Sequence, residues 1–355
     1  MRSAIAAALL AIGFNSSLAQ ELGPCTSATS ECTEWVSPPD DSSRLLVYRT
    51  YPLDMRNEDI TRALLMVHGG GRNADDYFRT ALTAAFLADR LEDTIVIAPR
   101  FAANDSESCA DELAEHELNW PCNSYSWRVG SAATNNVNVT SFDVIDEVLN
   151  GLARKVAFPN LSSIVVAGHS GGGAFTVFYQ MSNLVHEGLG VPVTYVAANA
   201  SRQVYLDSLR PSVDVFPYNI VATIPGYRPP DDGEPGPAFL PYSDVDNCTG
   251  YDNWPHGLKN RTGYSARVSD EQLRKQLASR KTTYLHGSID TRRGGNSCSQ
   301  LAHGPSILAR GLAFYRHVTE RHGAQHDLEV VGQCGHNHRC MYSSDAVLSV
   351  LFPED

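Results

Sequence analysis

The chain has 355 residues, 43% of them hydrophobic and 19% charged, which is enough apolar material for a full core and excludes a disordered or fibrous polypeptide. Its 28 basic against 40 acidic residues give a formal charge of −12, and with no basic cluster to offset that locally, nucleic acid and anionic membrane surfaces are poor partners. Eight cysteines, an even number with no CxxC pair among them, fit disulfides in an exported protein better than a zinc site.

In chain order, Met1-Arg2, the apolar stretch from 4 to 14 and the small residues around Ser17-Leu18-Ala19 predict a secretory signal peptide over 1–19. That apolar run is too short to span a membrane, which takes ~20 residues. Residues 20–44, rich in Ser, Thr, Pro and Asp, predict an extended leader tied by a disulfide. All eight cysteines follow the cleavage site. Proximity pairs Cys25 with Cys32, Cys109 with Cys122, Cys248 with Cys298 and Cys334 with Cys340, out of about 105 connectivities. N-x-S/T acceptors stand at Asn104, Asn138, Asn160, Asn199, Asn247 and Asn260, the expected marks of a secreted glycoprotein. Asn199 closes an apolar strand, so it is expected to be buried and to carry no sugar.

From Leu45 the pattern turns periodic. Residues 45–48 predict an entry strand, and 63–67 a short apolar run of the doubly covered kind, ending at His68-Gly69-Gly70-Gly71. Apolar residues at helical spacing predict a helix within 73–91, and 94–99 reads as the next buried strand. Residues 101–139 are irregular, a long excursion holding Trp120, Tyr125, Trp127 and a cysteine pair. Thr140 and Ser141 cap a predicted helix through Leu152, with Pro159 as its stop. The apolar run 164–167 then leads into Gly168-His169-Ser170-Gly171-Gly172 and a helical run over 174–179.

A further strand is predicted over 192–198. Periodicity fails across 200–280, where a Pro/Gly/Asp stretch at 229–237 and scattered aromatics suggest a lid-like insertion. Its tyrosines and Trp254 are placed to line a substrate mouth. Strand 282–285, a helix over 307–321 and strand 328–331 complete the pattern. Alternating strands and helices predict an α/β fold with a mostly parallel, doubly wound sheet.

A buried strand, a glycine-flanked serine and a helix form the context in which G-x-S-x-G makes a nucleophile elbow. A serine hydroxyl is a weak nucleophile until a base takes its proton, so Ser170 needs a histidine held by a third group. Strand C-termini in a parallel sheet open on one edge, which favours Asp290, just past strand 282–285, and His336, just past the last strand. His338 is a rival base, and His336 with His338 offers a His-x-His metal reading that no further ligand cluster supports. Developing oxyanion charge needs backbone donors. Gly70 or Gly71 can supply one and Gly171, the residue after the nucleophile, the other.

These motifs in this order, HGGG, GHSGG, Asp290 and His336, resemble the α/β-hydrolase superfamily over roughly residues 45–352. Arg49-Thr50-Tyr51-Pro52-Leu53 followed by HGGGRNADDYF is similar to secreted esterases of the feruloyl esterase and polyhydroxyalkanoate depolymerase type. The resemblance implies an α/β-hydrolase domain over 45–355 with the insertion at about 200–280. It further implies a serine esterase without a cofactor, acting on small-molecule or polymer-borne esters. A serine peptidase on the same fold and a non-catalytic binding protein are the alternatives.

Overall fold

The buried strands show, residue by residue, why this sequence makes a covered sheet. In the computed structural model, which describes residues 23–38, 42–122, 125–212 and 238–354, Ala63, Leu65 and Val67 of strand β3 (Arg62–Val67) pack into one core. Leu64 and Met66 pack into a second core on the opposite face. Period-two alternation with both faces apolar requires helices on both sides. The expected signal peptide and the stretch 229–237 lie outside the described residues.

The central sheet also contains β1 (Thr33–Val36), β2 (Leu45–Arg49), β4 (Thr94–Pro99), β5 (Ser163–His169), β6 (Val193–Ala198), β9 (Thr282–Gly287) and β10 (Asp327–Val331), while β7 (Leu209–Pro211) and β8 (Phe239–Pro241) pair separately. Its order is β1-β2-β4-β3-β5-β6-β9-β10. From β4 to β10 every pairing is parallel; β2 alone runs against these strands, and β1 pairs antiparallel with β2. The fold is therefore α/β, with β5 at the centre of the sheet.

Helices α1 (Ala74–Leu87), α2 (Ser141–Leu152), α3 (Gly171–Ser182), α4 (Asp270–Ser279), α5 (Cys298–Leu301), α6 (Ile307–Arg316), α7 (His338–Tyr342) and α8 (Asp345–Leu351) follow in chain order. Residues of α2, α3 and α4 fill the first core, and those of α1, α7 and α8 the second. The capping signal before α2 is realised as a reciprocal box, Thr140 with Asp143, which is worth about 1 kcal/mol.

Four segments differ from the sequence expectation. The helix α2 ends at Leu152, well before Pro159, because the chain turns on main-chain bonds from Ala157 and Phe158 to Arg154 O. Part of the leader is a strand: β1 pairs with β2 from Thr33↔Tyr48 to Val36↔Leu45. Helix α4 and the 3-10 turn Gly263–Arg267 occupy the insertion, where no periodicity was visible. The helix expected over 307–321 stops at Arg316 and continues as a π turn, His317–Arg321.

All four cysteine pairs are joined, Cys25–Cys32, Cys109–Cys122, Cys248–Cys298 and Cys334–Cys340. Asn199 is fully buried, and the other five acceptor asparagines are exposed. No helix of the described residues is long and apolar enough to cross a membrane.

Candidate active site

The elbow is set by close approach. Ser170 ends β5 in a left-handed conformation (φ 58°, ψ −110°) and caps α3, a strained backbone for a residue with a side chain. It is held by Ser170 N–H donating to Ala198 O (2.9 Å) and by Ser201 N–H donating to Ser170 O (2.9 Å). A Cβ at Gly168 would lie 2.3 Å from Gly172 O, and one at Gly172 would lie 2.1 Å from Val67 O. Both contacts are with backbone, so neither position accepts a side chain.

The geometry brings Ser170, His336 and Asp290 together across three loops of one sheet edge. Ser170 Oγ lies 2.8 Å from His336 Nε2, and His336 Nδ1 lies 2.7 Å from Asp290 Oδ2. Asp290 is fully buried. With Asp290 accepting from Nδ1–H, Nε2 carries the lone pair that faces the serine hydroxyl. His338 is placed elsewhere: it stacks on Tyr77 at 4.1 Å, bonds Thr80 Oγ1 through Nδ1 (2.9 Å) and faces Asp76 through Nε2 (3.3 Å). Burial lowers its pKa from the ordinary histidine value.

The loop after β3 lies against the elbow. A Cβ at Gly69 would lie 2.7 Å from the Tyr77 hydroxyl and 3.6 Å from Ser170 Cβ, and one at Gly171 would lie 3.0 Å from Gly70 N. Gly70 therefore faces the nucleophile turn, whereas Gly71 turns toward Asn73, whose Oδ1 would stand 3.3 Å from its Cβ. Gly171 opens α3, where backbone N–H groups have no intrahelical acceptor. His68 fixes the loop: its Nδ1–H donates to Gly69 O (2.8 Å), and its Nε2 accepts from Phe101 N–H (3.0 Å). Burial drives its pKa down to about 3, so it stays neutral.

Asn199, noted in the sequence only as a buried acceptor, ties the two later loops to the elbow. Its Oδ1 accepts from Gly287 N–H (2.8 Å), and its Nδ2 donates to Gly335 O (3.1 Å) and faces His169 Nε2 (3.3 Å). One amide thus holds the residues before Asp290 and His336. The only sequence signal was a polar residue closing an apolar strand. His169 is buried between Tyr77 and the His336 ring, and burial holds its pKa well below the ordinary value.

Trp254 is not brought to this cluster. It meets Phe178 of α3 edge-on at 5.0 Å, about 12 Å along the helix from Ser170 at 1.5 Å per residue. Of the other aromatics in the insertion, Tyr205, Tyr251 and Tyr264 are buried, while Tyr218 and Tyr227 lie outside the described residues.

A strained serine at the end of a central parallel strand, followed at once by a helix and met by a histidine and an acid from later loops, defines the α/β-hydrolase architecture. The chain belongs to the alpha/beta hydrolase family, whose model matches residues 64–349. Among solved structures it is similar to poly(aspartic acid) hydrolase-1 from Sphingomonas sp. KT-1, at 20% identity and TM-score 0.56, covering 90% of this chain and 98% of that one. It is also similar to LpqC, a poly(3-hydroxybutyrate) depolymerase from Bordetella parapertussis, at 16% identity and TM-score 0.57, covering 90% and 94%. No curated protein matches its sequence.

Proposed function

We propose that this chain is a secreted serine hydrolase that cleaves carboxylic esters through an acyl-enzyme. The observation that carries the reading is the His336 imidazole, bonded to Ser170 Oγ on one side and to buried Asp290 on the other. Ser170 Oγ attacks the ester carbonyl as its proton passes to His336 Nε2, and Asp290 stabilises the imidazolium that forms. The N–H groups of Gly70 and Gly171 receive the oxyanion. His336 then protonates the departing alcohol, and water, activated by the same nitrogen, releases the acid and restores Ser170.

Nothing in this sequence of steps calls on a metal or cofactor. Four disulfides and five exposed glycosylation acceptors support export. The likeness to a poly(3-hydroxybutyrate) depolymerase suits a small-molecule or polymer-borne ester as substrate, and the net charge of −12 argues against a nucleic-acid or anionic-membrane partner.

The test is active-site labelling. A fluorophosphonate should modify Ser170 and abolish turnover of a p-nitrophenyl ester, and Ser170→Ala should fold normally while losing at least about a thousandfold in kcat. A folded, active Ser170→Ala would refute the assignment. Failure to label would favour a binding protein, and faster turnover of a peptide anilide than of the ester would favour a peptidase.

A further inference from the structure

Arg128 stands beside the nucleophile turn. A Cβ at Gly70 would lie 3.0 Å from its Nη2, and a Cβ at Gly171 would lie 3.0 Å from its Nε. Its guanidinium thus borders the two backbone positions that flank Ser170. Among the described residues its side chain makes no hydrogen bond or ion pair, and Nε is sealed from solvent without an acceptor. Its neighbours are the ring faces of Trp127 at 5.3 Å and Tyr125 at 5.8 Å.

A second cation lies nearby. Arg202, 3% exposed, packs on the same ring, 3.0 Å from the Tyr125 centroid, and follows directly on Ser201, which is bonded to Ser170 O. Among the described residues its one hydrogen bond is to His256 Nε2 (3.0 Å), a ring that burial keeps neutral, with its pKa down to about 3.

Apart from Arg202, each buried arginine among the described residues has a carboxylate or backbone carbonyls as acceptors. Arg62 pairs with Asp93, Arg210 with Asp252 and Arg280 with Glu187. Arg72 donates to three carbonyls, of Phe101, Ala102 and Pro121, and Arg310 to those of Gly304 and Gly295. Arg128 is half-buried and Arg202 buried; a charge drawn from water without an acceptor is costly, and a chain with 40 acidic residues has carboxylates to spare. None is placed against Arg128 or Arg202 among the described residues.

We propose that Arg128, with Arg202 on the same Tyr125 ring, is a binding site for a carboxylate carried by the substrate within a few bonds of the scissile ester, so that the preferred substrates are acidic esters. The planar guanidinium suits a carboxylate through paired N–H donors. Its place beside Gly70 and Gly171 sets the acid next to the carbonyl whose oxygen those N–H groups receive. A neutral acyl chain would leave the cation without an acceptor. The inference rests on the serine-ester function above and adds its substrate class.

The experiment compares monoethyl succinate with ethyl pentanoate in the full-length secreted protein, by acid release in a pH-stat, for wild type, Arg128→Gln and Arg128→Lys. The wild-type kcat/KM ratio, charged over neutral, is expected to exceed about ten, to fall about a hundredfold in Arg128→Gln and to recover in part in Arg128→Lys. Free succinate should also slow fluorophosphonate labelling of Ser170 in wild type, and not in Arg128→Gln. A wild-type ratio near one, a ratio that Arg128→Gln leaves in place, or labelling indifferent to succinate overturns the carboxylate site. Successful labelling with no charge preference leaves the serine hydrolase standing, whereas absence of labelling removes that function itself.

Discussion

The elbow at Ser170 and the wall at Tyr125–Arg128 meet at one site and are built in opposite ways. The elbow stands on regular elements, the end of β5 and the start of α3, with glycines at 168 and 172 pressed against backbone. The wall stands on an irregular excursion whose rigidity comes from side chains. Trp127 is fully buried and stacks on Phe101 at 5.0 Å, Ser141 Oγ donates to Trp127 O, and Cys109–Cys122 closes the loop before it. Chemistry that must be identical for every substrate rests on the sheet, and contacts that choose among substrates rest on a loop that can vary without disturbing it.

The sharpest way to break this comparison is at the base. His336→Ala should cost roughly four orders of magnitude in kcat on every ester, charged or neutral, whereas His338→Ala, which removes a contact with Tyr77 and Thr80, should cost less than about tenfold. Steady-state kinetics with melting curves will tell them apart. The reverse order would move the base to His338.

A smaller effect is expected at the ring around the base. Joining Cys334 to Cys340 closes a loop of sequence separation 6, against 50 for Cys248–Cys298, worth about 2 kcal/mol in chain entropy against about 4. Replacing both Cys334 and Cys340 by alanine should therefore lower the melting temperature by only about 5 °C. It should lower kcat by ten- to a hundredfold, because the imidazole loses its fixed place on Ser170. A large drop in melting temperature with kcat preserved would show that the ring serves the core instead of the site.

The smallest effect sharpens the comparison by leaving the site alone. Asp146 on α2 is buried, and burial pushes its pKa up to about 7 although the hydroxyls of Tyr179 and Tyr264 donate to it. Folded protein therefore holds this proton at pH values where the unfolded chain has released it. The stability so gained is complete below the ordinary carboxylate range and fades as pH rises through about 7. Asp146→Asn should flatten the fall in melting temperature between pH 5 and pH 8 by a few degrees, without altering the preference for charged esters. Equal slopes in the two proteins would refute the shift.

How much of this was legible in the sequence follows from where the information sits. Strands β3, β4 and β5 each carry a continuous apolar run, and the elbow adds a glycine pattern that only a tight turn explains, so their place could be read directly. Helix α4 could not, because its contact face consists of Leu273, Gln276 and Leu277, with Gln276 spending its amide on Met181 O and Asn183 O. Strand β1 is an edge strand, half-buried throughout, and so lacks the alternation that marks a strand with a core face. Asp290 and His336 were legible as loop positions after strands. Arg128 was not, since nothing local distinguishes an arginine that has a partner from one that has none. Trp254 shows the converse: a tryptophan in a polar stretch suggested a mouth, and the fold uses it against Phe178.

Asn199 gives the molecule a clock. Its amide is free for modification only while Gly287 and Gly335 have yet to arrive, that is, until more than a hundred further residues have been synthesised and the last strand has docked. If the chain enters a compartment that attaches sugars to emerging chains, as the proposed export requires, the acceptor Asn199-Ala200-Ser201 would set folding and glycosylation in a race. A chain modified there would be unable to seat β9 and the loop bearing His336 against β6, so a completed active site would record that closure came first.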